Sequence, residues 1–342
     1  MKAMILTEIT SLTDNYAPLK LVNDWPMPKP GPGDILVKVL ACGVCHTELD
    51  EIEGRTPPAF FPVILGHQIV GQVAALGKEV RRFKCGDRIG AGWFYSACGT
   101  CFFCRTDREN LCSSFKATGR DAHGGYAEYT VLPEESACLI PAAISDAQAS
   151  PLLCAGAIGY RSLRLTQLEN GQNLGLTGFG ASAHLTLKLA RFLYPDSPVF
   201  VFARNEKERE FARELGAVWA GDTEEAAPEK LHAIIDTTPA WKPVLEALKN
   251  LERGGRLVIN AIRKEEKDKN VLLNMNYPDH LWMEKEIKSV ANVTRKDIAE
   301  FLPLAADAGI RPVVKEYPLD QANTALRHLK SGESVGAKVL VL

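Results

Sequence analysis

The chain has 342 residues, 46% of them hydrophobic and 24% charged, which suits a globular protein large enough for two domains. A formal charge of -2 provides no basic surface for nucleic acid or an anionic membrane, so neither is expected as a partner. The N-terminal residues lack a signal-peptide core, and no run approaches the roughly 18 apolar residues of a membrane span, so a cytoplasmic protein is expected.

The first ~150 residues are rich in Gly and Pro and carry short β-type runs. Residues 34–41 (D-I-L-V-K-V-L-A) are apolar and β-branched and follow Pro-Gly-Pro-Gly. Residues 63–76 hold a pair of such runs, read as broken by Gly66 and Gly71. Gly124-Gly125 introduces a strand at 126–131 (Y-A-E-Y-T-V). This is the texture of an irregular, mostly β domain.

After about residue 150 strands and helices alternate, which implies a parallel sheet covered on both faces. Residues 173–177 (N-L-G-L-T) lead through a glycine turn into a helical stretch ending at Leu193. Residues 199–203 (V-F-V-F-A) form a second strand, and Asn205-x-x-Glu208 is a capping-box pattern for a helix that stops at Gly216. Further strands are expected at 217–220, 231–235 and 256–260. The charge run 264–269 (K-E-E-K-D-K) reads as a solvated loop.

Four cysteines, Cys98, Cys101, Cys104 and Cys112, follow a Cys-x2-Cys-x2-Cys-x7-Cys spacing. Four thiolates around tetrahedral Zn(II), with Zn–S about 2.3 Å, make a closed structural site. Disulfides are a poorer reading, because Cys-x2-Cys neighbours pair badly and nothing points to secretion. A ferredoxin-type run would place its last cysteine three residues on, before Pro; here the gap is seven and Ser113 follows.

Gly178-Phe179-Gly180-Ala181-Ser182-Ala183 is a G-x-G-x-x-A fingerprint. Lying between a strand and a helix, it points to dinucleotide binding: the glycines allow a tight turn, and the helix N-terminus offers N–H groups to a pyrophosphate. The end of the second strand normally carries an acid for the ribose 2′-OH of NAD. Here Ala203 is followed by Arg204 and Asn205, and a cation there favours NADP(H), with NAD(H) as the alternative.

Cys45, His67 and Cys154 are candidates for a second, reactive metal, but they are too far apart for spacing to join them. Each alone reads as a core residue. Taken together, however, A-C-G-V-C-H-T-E, L-G-H-Q-I-V-G, C-G-D-R-I-G, the four-cysteine run, H-G-G-Y-A-E-Y, L-L-C-A-G and G-F-G-A-S-A occur in one order across about 35–260. That set resembles the zinc-dependent alcohol dehydrogenases of the medium-chain dehydrogenase/reductase superfamily.

The resemblance implies an α/β fold: a GroES-like, mostly β catalytic domain plus a Rossmann, doubly wound parallel-sheet cofactor domain. The catalytic domain would cover 1–153 and 291–342, with a structural-zinc lobe at about 93–115, and the Rossmann domain 154–290. It implies two Zn2+ per chain, one held by Cys45, His67 and Cys154 and one by the four-cysteine lobe. By the same resemblance Thr47 relays the alcohol proton, Glu48 orients the ligand histidine where Asp is more usual, and His46 lies beside the cofactor pyrophosphate. Asp50 stands where a relay histidine is common, either accepting the proton or leaving a shorter relay. Gln68 stands where Glu is frequent, which weakens any transient ligation there.

Two thiolates and a neutral imidazole would leave a formally neutral zinc site with one open position, suited to polarising a substrate oxygen. The function expected is reversible hydride transfer between a small, primary, apolar alcohol and a nicotinamide cofactor, the reverse direction reducing an aldehyde. Trp93, Phe94, Tyr95 and Phe115 are candidate pocket aromatics that could equally be core. The alternatives are a polyol or other medium-chain dehydrogenase and, more remotely, a zinc-ribbon binding protein. A homo-oligomer, dimer or tetramer, is expected, with the apolar run 287–293 a candidate sheet edge. Cys42, Cys85 and Cys138 read as packing residues.

Overall fold

Two β architectures with different pairing rules organise the chain. The computed structural model describes residues 1–13, 16–332 and 336–342. One unit comprises Met1–Cys154, Val293–Ala306 and Arg311–Leu342; the other comprises Ala155–Asn292 and Asp307–Ile310.

The first unit is built around the strand Asp34–Val44. It pairs antiparallel with Gln68–Leu76, Tyr129–Pro133 and Ala337–Val341, so it is the hub of a seven-stranded sheet. A three-stranded sheet of Leu19–Val22, Ala3–Leu6 and Val63–Ile64 completes the unit's main β structure. Met4, Leu6, Ile35, Ile52, Ile64, Leu65, Ile69 and Tyr126 are fully buried in one core cluster. Burial on that scale, at about 25 cal/mol per Å² of apolar surface, is the main force holding these short strands together.

Two local expectations shift here. Gly71 does not break its strand, which runs continuously over Gln68–Leu76. A Cβ at Gly71 would lie 2.4 Å from the Lys38 carbonyl oxygen, so the glycine permits close strand approach. The strand expected at 126–131 begins instead at Tyr129. Tyr126 is in the core, and its N–H donates to the Leu65 carbonyl at 3.0 Å.

The second unit has six parallel strands in the spatial order Trp219–Gly221, Val199–Phe202, Leu174–Thr177, Leu231–Asp236, Leu251–Ile259 and Glu286–Ser289. In chain order that is third, second, first, fourth, fifth, sixth, the doubly wound Rossmann arrangement. The adjacent interior strands Leu174–Thr177 and Val199–Phe202 are buried at every residue, as strands of a parallel sheet covered on both faces are. The edge strand Glu286–Ser289 is exposed throughout, whereas Val290 and Val293 are buried, so the apolar run 287–293 divides between edge and core. Among the described residues no helix is long and apolar enough to cross a membrane.

The charge run 264–269 is not merely a solvated loop. The Lys264 side chain is only 8% exposed and forms an ion pair with the fully buried Asp236. Glu265 N–H donates to the Pro239 carbonyl at 2.8 Å. Asp268 Oδ2 accepts from the N–H groups of Trp241 and Lys242, both at 2.9 Å. Periodicity could not reveal this, because the partners lie some two dozen residues upstream. Asp268 thereby caps the helix Lys242–Asn250, whose own N-cap residue, Trp241, makes no side-chain cap bond. Asp268→Ala should therefore cost about 1 kcal/mol. Thermal unfolding should show a drop of roughly 2–4 °C, and an unchanged midpoint would remove Asp268 as a cap.

Candidate active site and metal centres

The helix His46–Ile52 begins at Cys45, whose sulfur accepts from Thr47 N–H at 3.3 Å. Glu48 reaches back and accepts from Cys45 N–H at 2.8 Å. This is a capping box in which a thiol takes the place usually held by a hydroxyl. The other Glu48 oxygen lies 2.6 Å from His67 Nδ1, and both side chains are buried. One carboxylate thus fixes the Cys45 backbone and the His67 ring, leaving His67 Nε2 3.7 Å from Cys45 Sγ.

His67 owes its position to a glycine turn. Gly66 has φ +97°, and a Cβ there would meet the Tyr126 ring at 2.4 Å. Gly124 packs against the same turn: its N–H donates to the Ile64 carbonyl at 2.7 Å, and a Cβ would lie 2.2 Å from the Gly66 oxygen. Cys154 comes from a π-helical turn, Leu152–Gly156, that follows the helix Asp146–Pro151. The ligand atoms of Cys45, His67 and Cys154 lie within 4.8 Å of one another.

The electrostatics of this group suit a cation. The neighbouring Cys154 thiol, reinforced by burial, pushes Cys45 well above the usual thiol range. At His67 burial opposes protonation, but Glu48 and Cys45 outweigh it and raise the imidazole. Both groups hold their protons more tightly than usual, and a divalent ion bound there would displace those protons. The donor set of two sulfurs and one imidazole nitrogen fits zinc.

Around this group Thr47 is buried one residue after the helix start, and His46 is exposed. Asp50 is buried and accepts from Arg55 Nε at 2.5 Å. Gln68 packs its amide over Gly43, where a Cβ would lie 2.1 Å from Oε1. Of the four candidate aromatics, Phe94 is core, Tyr95 packs on the core cluster, and Trp93 and Phe115 remain half-buried with ring centroids 5.2 Å apart. Cys42 and Cys138 are packed, but Cys85 is exposed, so the packing reading fails for it.

The sequence reading missed Glu51. It lies one helical turn beyond Glu48, fully buried, and neither of its oxygens receives a well-formed hydrogen bond. Burial and the Glu48 charge push its carboxyl well above the usual range, despite His67, Arg120 and Trp93. Its three-residue offset from Glu48 on a short helix was the available signal.

The four-cysteine lobe forms a second group, again with ligand atoms within 4.8 Å of one another. Cys101 and Cys104 sulfurs are 3.6 Å apart, and Cys98 and Cys104 sulfurs 3.9 Å. These are far from the ~2.05 Å of a disulfide, and the described cysteines are free. Backbone N–H groups of Thr100 and Cys101 lower the Cys98 thiol to about 6. Burial, with the Cys101 thiol, pushes Cys104 up to about 12. Four sulfurs grouped this closely, with no disulfide among them, fit a tetrahedral zinc that would hold all four as thiolates. Glu109 ties the lobe down by accepting from Arg295 N–H at 2.8 Å.

In the second unit Gly178 has φ +74°, and Gly180 has open space where a Cβ would be. The helix Ala181–Leu193 starts at Gly180 with no side-chain cap, leaving its first N–H groups available to an anion. Phe179 and Ala183 are buried, Ala181 is exposed, and Ser182 donates to the Ala155 carbonyl at 3.2 Å. This cradle fits a dinucleotide pyrophosphate. Arg204 is exposed just past the second strand, and Asn205 caps the next helix through Lys207 N–H at 2.9 Å. Arg209 was also missed: it donates to the Ala203 carbonyl at 2.7 Å and pairs with Glu206 and Asp222. Its place one turn into a helix hid it from a search of the strand end.

The family described as Alcohol dehydrogenase GroES-like domain matches residues 31–142, and the family described as Zinc-binding dehydrogenase matches residues 201–341. A Mycobacterium tuberculosis protein named as a probable alcohol dehydrogenase, AdhA, is 42% identical over 321 residues, covering 92% of this chain and 91% of its own. An alcohol dehydrogenase of Geobacillus stearothermophilus is 32% identical over 351 residues, covering 100% and 99%. Among solved structures, AibC superposes with a TM-score of 0.89 at 27% identity, covering 100% of this chain and 95% of its own. A Sinorhizobium meliloti protein described as a zinc-binding dehydrogenase and bound to NADP gives a TM-score of 0.83 at 25% identity, covering 100% and 99%. Relatives this similar, aligned over nearly the whole length, fix the family: the chain belongs to the zinc-dependent alcohol dehydrogenases of the medium-chain dehydrogenase/reductase superfamily.

Proposed function

We propose that the protein interconverts a small, apolar primary alcohol and its aldehyde, using two zinc ions per chain and NADP(H) in preference to NAD(H). The observation that carries this reading is the convergence of Cys45, His67 and Cys154, three residues remote in sequence, on one potential metal position. Zinc held there would supply Lewis-acid polarisation of the substrate oxygen, and the nicotinamide would accept or donate the hydride. Cys98, Cys101, Cys104 and Cys112 would hold the structural ion.

The chain's own residues have separable tasks in this reading. Glu48 keeps His67 oriented through Nδ1, as a buried carboxylate behind a ligand histidine does. Thr47 moves the alcohol proton at its hydroxyl. Asp50 is the secondary acceptor, and its ion pair with Arg55 makes its part the smaller one. The Gly178–Ala183 turn binds the dinucleotide backbone, and Arg204 with Asn205 faces the ribose. The half-buried Trp93 and Phe115 support an apolar substrate.

The two metal sites predict different losses. Elemental analysis should return two zinc ions per chain. Cys101→Ser should lower stability strongly, because it opens a closed site, whereas Cys45→Ser should abolish turnover with the fold largely kept. Identical behaviour of the two variants would contradict the division of roles.

Thr47→Ala should retain zinc and lose roughly 10²–10⁴-fold in rate, the usual worth of a positioned proton-transfer group. Full activity at neutral pH would take Thr47 out of the relay.

Steady-state kinetics with both cofactors against a ladder of primary and secondary alcohols and polyols tests the rest. A charge-assisted bond from Arg204 to a 2′-phosphate would contribute about 1.5–3 kcal/mol, so NADP(H) should show roughly ten- to a hundredfold higher kcat/KM. Arg204→Ala with Ala203→Asp should reverse the preference. Equal or better kcat/KM with NAD in the parent would end the NADP assignment, and a polyol preference would end the substrate assignment.

A further inference from the structure

Asp236 ends the fourth strand of the parallel sheet beside the glycine turn, and it is fully buried. Its Oδ1 accepts from Thr177 Oγ1 at 2.6 Å, from Thr238 Oγ1 at 2.8 Å and from Thr238 N–H at 3.3 Å. Its Oδ2 is ion-paired with Lys264. Lys264 Nζ also donates to the Thr238 carbonyl at 2.8 Å and to the Ala240 carbonyl at 2.9 Å. All three ammonium protons are therefore used.

This network backs directly onto Gly178. A Cβ on Gly178 would meet Thr238 Cγ2 at 2.8 Å and Thr237 Oγ1 at 3.0 Å. Thr237 closes the gap by donating to the Thr177 carbonyl from N–H at 3.0 Å and from Oγ1 at 2.9 Å. Thr177, which touches Asp236, is the residue immediately before Gly178. A buried carboxylate thus stands behind the turn that would receive an anionic pyrophosphate. Its charge would oppose that ligand unless it is balanced.

We propose that Lys264 is a positioning residue of the dinucleotide site, which neutralises Asp236 behind the Gly178 turn and pins the loop 237–240 that supports it. The inference rests on the dinucleotide reading above and adds a charge-balancing element to it. It gives the two partners opposite signs. Loss of Lys264 leaves an uncompensated anion behind the pyrophosphate cradle. Loss of the Asp236 charge leaves an uncompensated cation there.

Titration of NADH and NADPH fluorescence against the zinc-loaded full chain tests this. Lys264→Gln should weaken the Kd of the preferred dinucleotide roughly tenfold, the order expected for one unbalanced charge at an effective dielectric near 20. Asp236→Asn, which leaves the Lys264 cation uncompensated, should bind roughly tenfold more tightly than the parent. The double variant, Asp236→Asn with Lys264→Gln, should return to within about twofold of the parent, because each amide can keep part of the hydrogen bonding. A merely structural role would weaken binding and lower the melting temperature in both single variants alike, and that result overturns the proposal. So does a folded Lys264→Gln with parental affinity. Where Lys264→Gln does not fold, the double variant is compared with Asp236→Asn: it should bind about tenfold more weakly, and equal affinity overturns the proposal. A parent that binds neither dinucleotide overturns both readings, whereas loss of the sign difference in a parent that binds overturns only this one.

Discussion

The Glu48 carboxylate is the contact on which the catalytic half of the molecule depends. It is fully buried, and it faces Cys45 N–H with one oxygen and His67 Nδ1 with the other. Two potential ligands twenty-two residues apart are thereby held by one group. A carboxylate is expensive to bury unless its lone pairs are met by donors. Here one oxygen takes the Cys45 N–H at the helix start and the other lies in close contact with the imidazole, so the same two contacts that ease burial also set the ligand geometry. A longer side chain than aspartate suits that span, because it must reach back to the cap and across to the histidine from one Cα. Asp-for-Glu exchange at this position would therefore be a change of geometry as well as of size.

The second unit solves a related problem at its own centre. Asp236 is as deeply buried as Glu48, but its charge is met by Lys264 from a segment that looks like a solvent-facing charge run. Asp268 in the same run caps the helix Lys242–Asn250 from outside that helix. The polar run is thus a strap that satisfies buried groups, which is why its composition misled. Charge density along a sequence reports solvation only when no partner is folded against it.

The parts legible in the sequence were those encoded locally. The alternation of Leu174–Thr177, Gly178, Gly180 and an apolar helix identified the parallel unit, because a tight turn between strand and helix needs its glycines within a few residues. The four-cysteine lobe was readable because its spacing matches one coordination sphere. Cys45, His67 and Cys154 were not joined by spacing, since three different chain segments bring them together; the resemblance to a family supplied them. Strand ends were misjudged where core packing overrode pattern: Tyr126 looked like strand but became core, and Gly71 looked like a break but admitted a neighbouring backbone. Lys264 escaped because its partner Asp236 is set by tertiary contact, Arg209 because its bonds to the Ala203 carbonyl and Asp222 form only on folding, and Glu51 because its burial is not written in its local spacing.

The two buried acidic centres have opposite charge logic, and this separates the ligands each unit can take. Around His67 two thiols, the Glu48 carboxylate and the buried Glu51 crowd a single imidazole. A divalent cation bound there would displace the protons those groups hold, whereas an anion would add to the crowded acidic groups. Around Asp236 the count is already even, and the uncapped helix that follows Gly180 presents N–H groups without a side-chain acceptor. Such a helix start would suit an anion better than a cation. A metal in one unit and a dinucleotide phosphate in the other would each meet local charges suited to it.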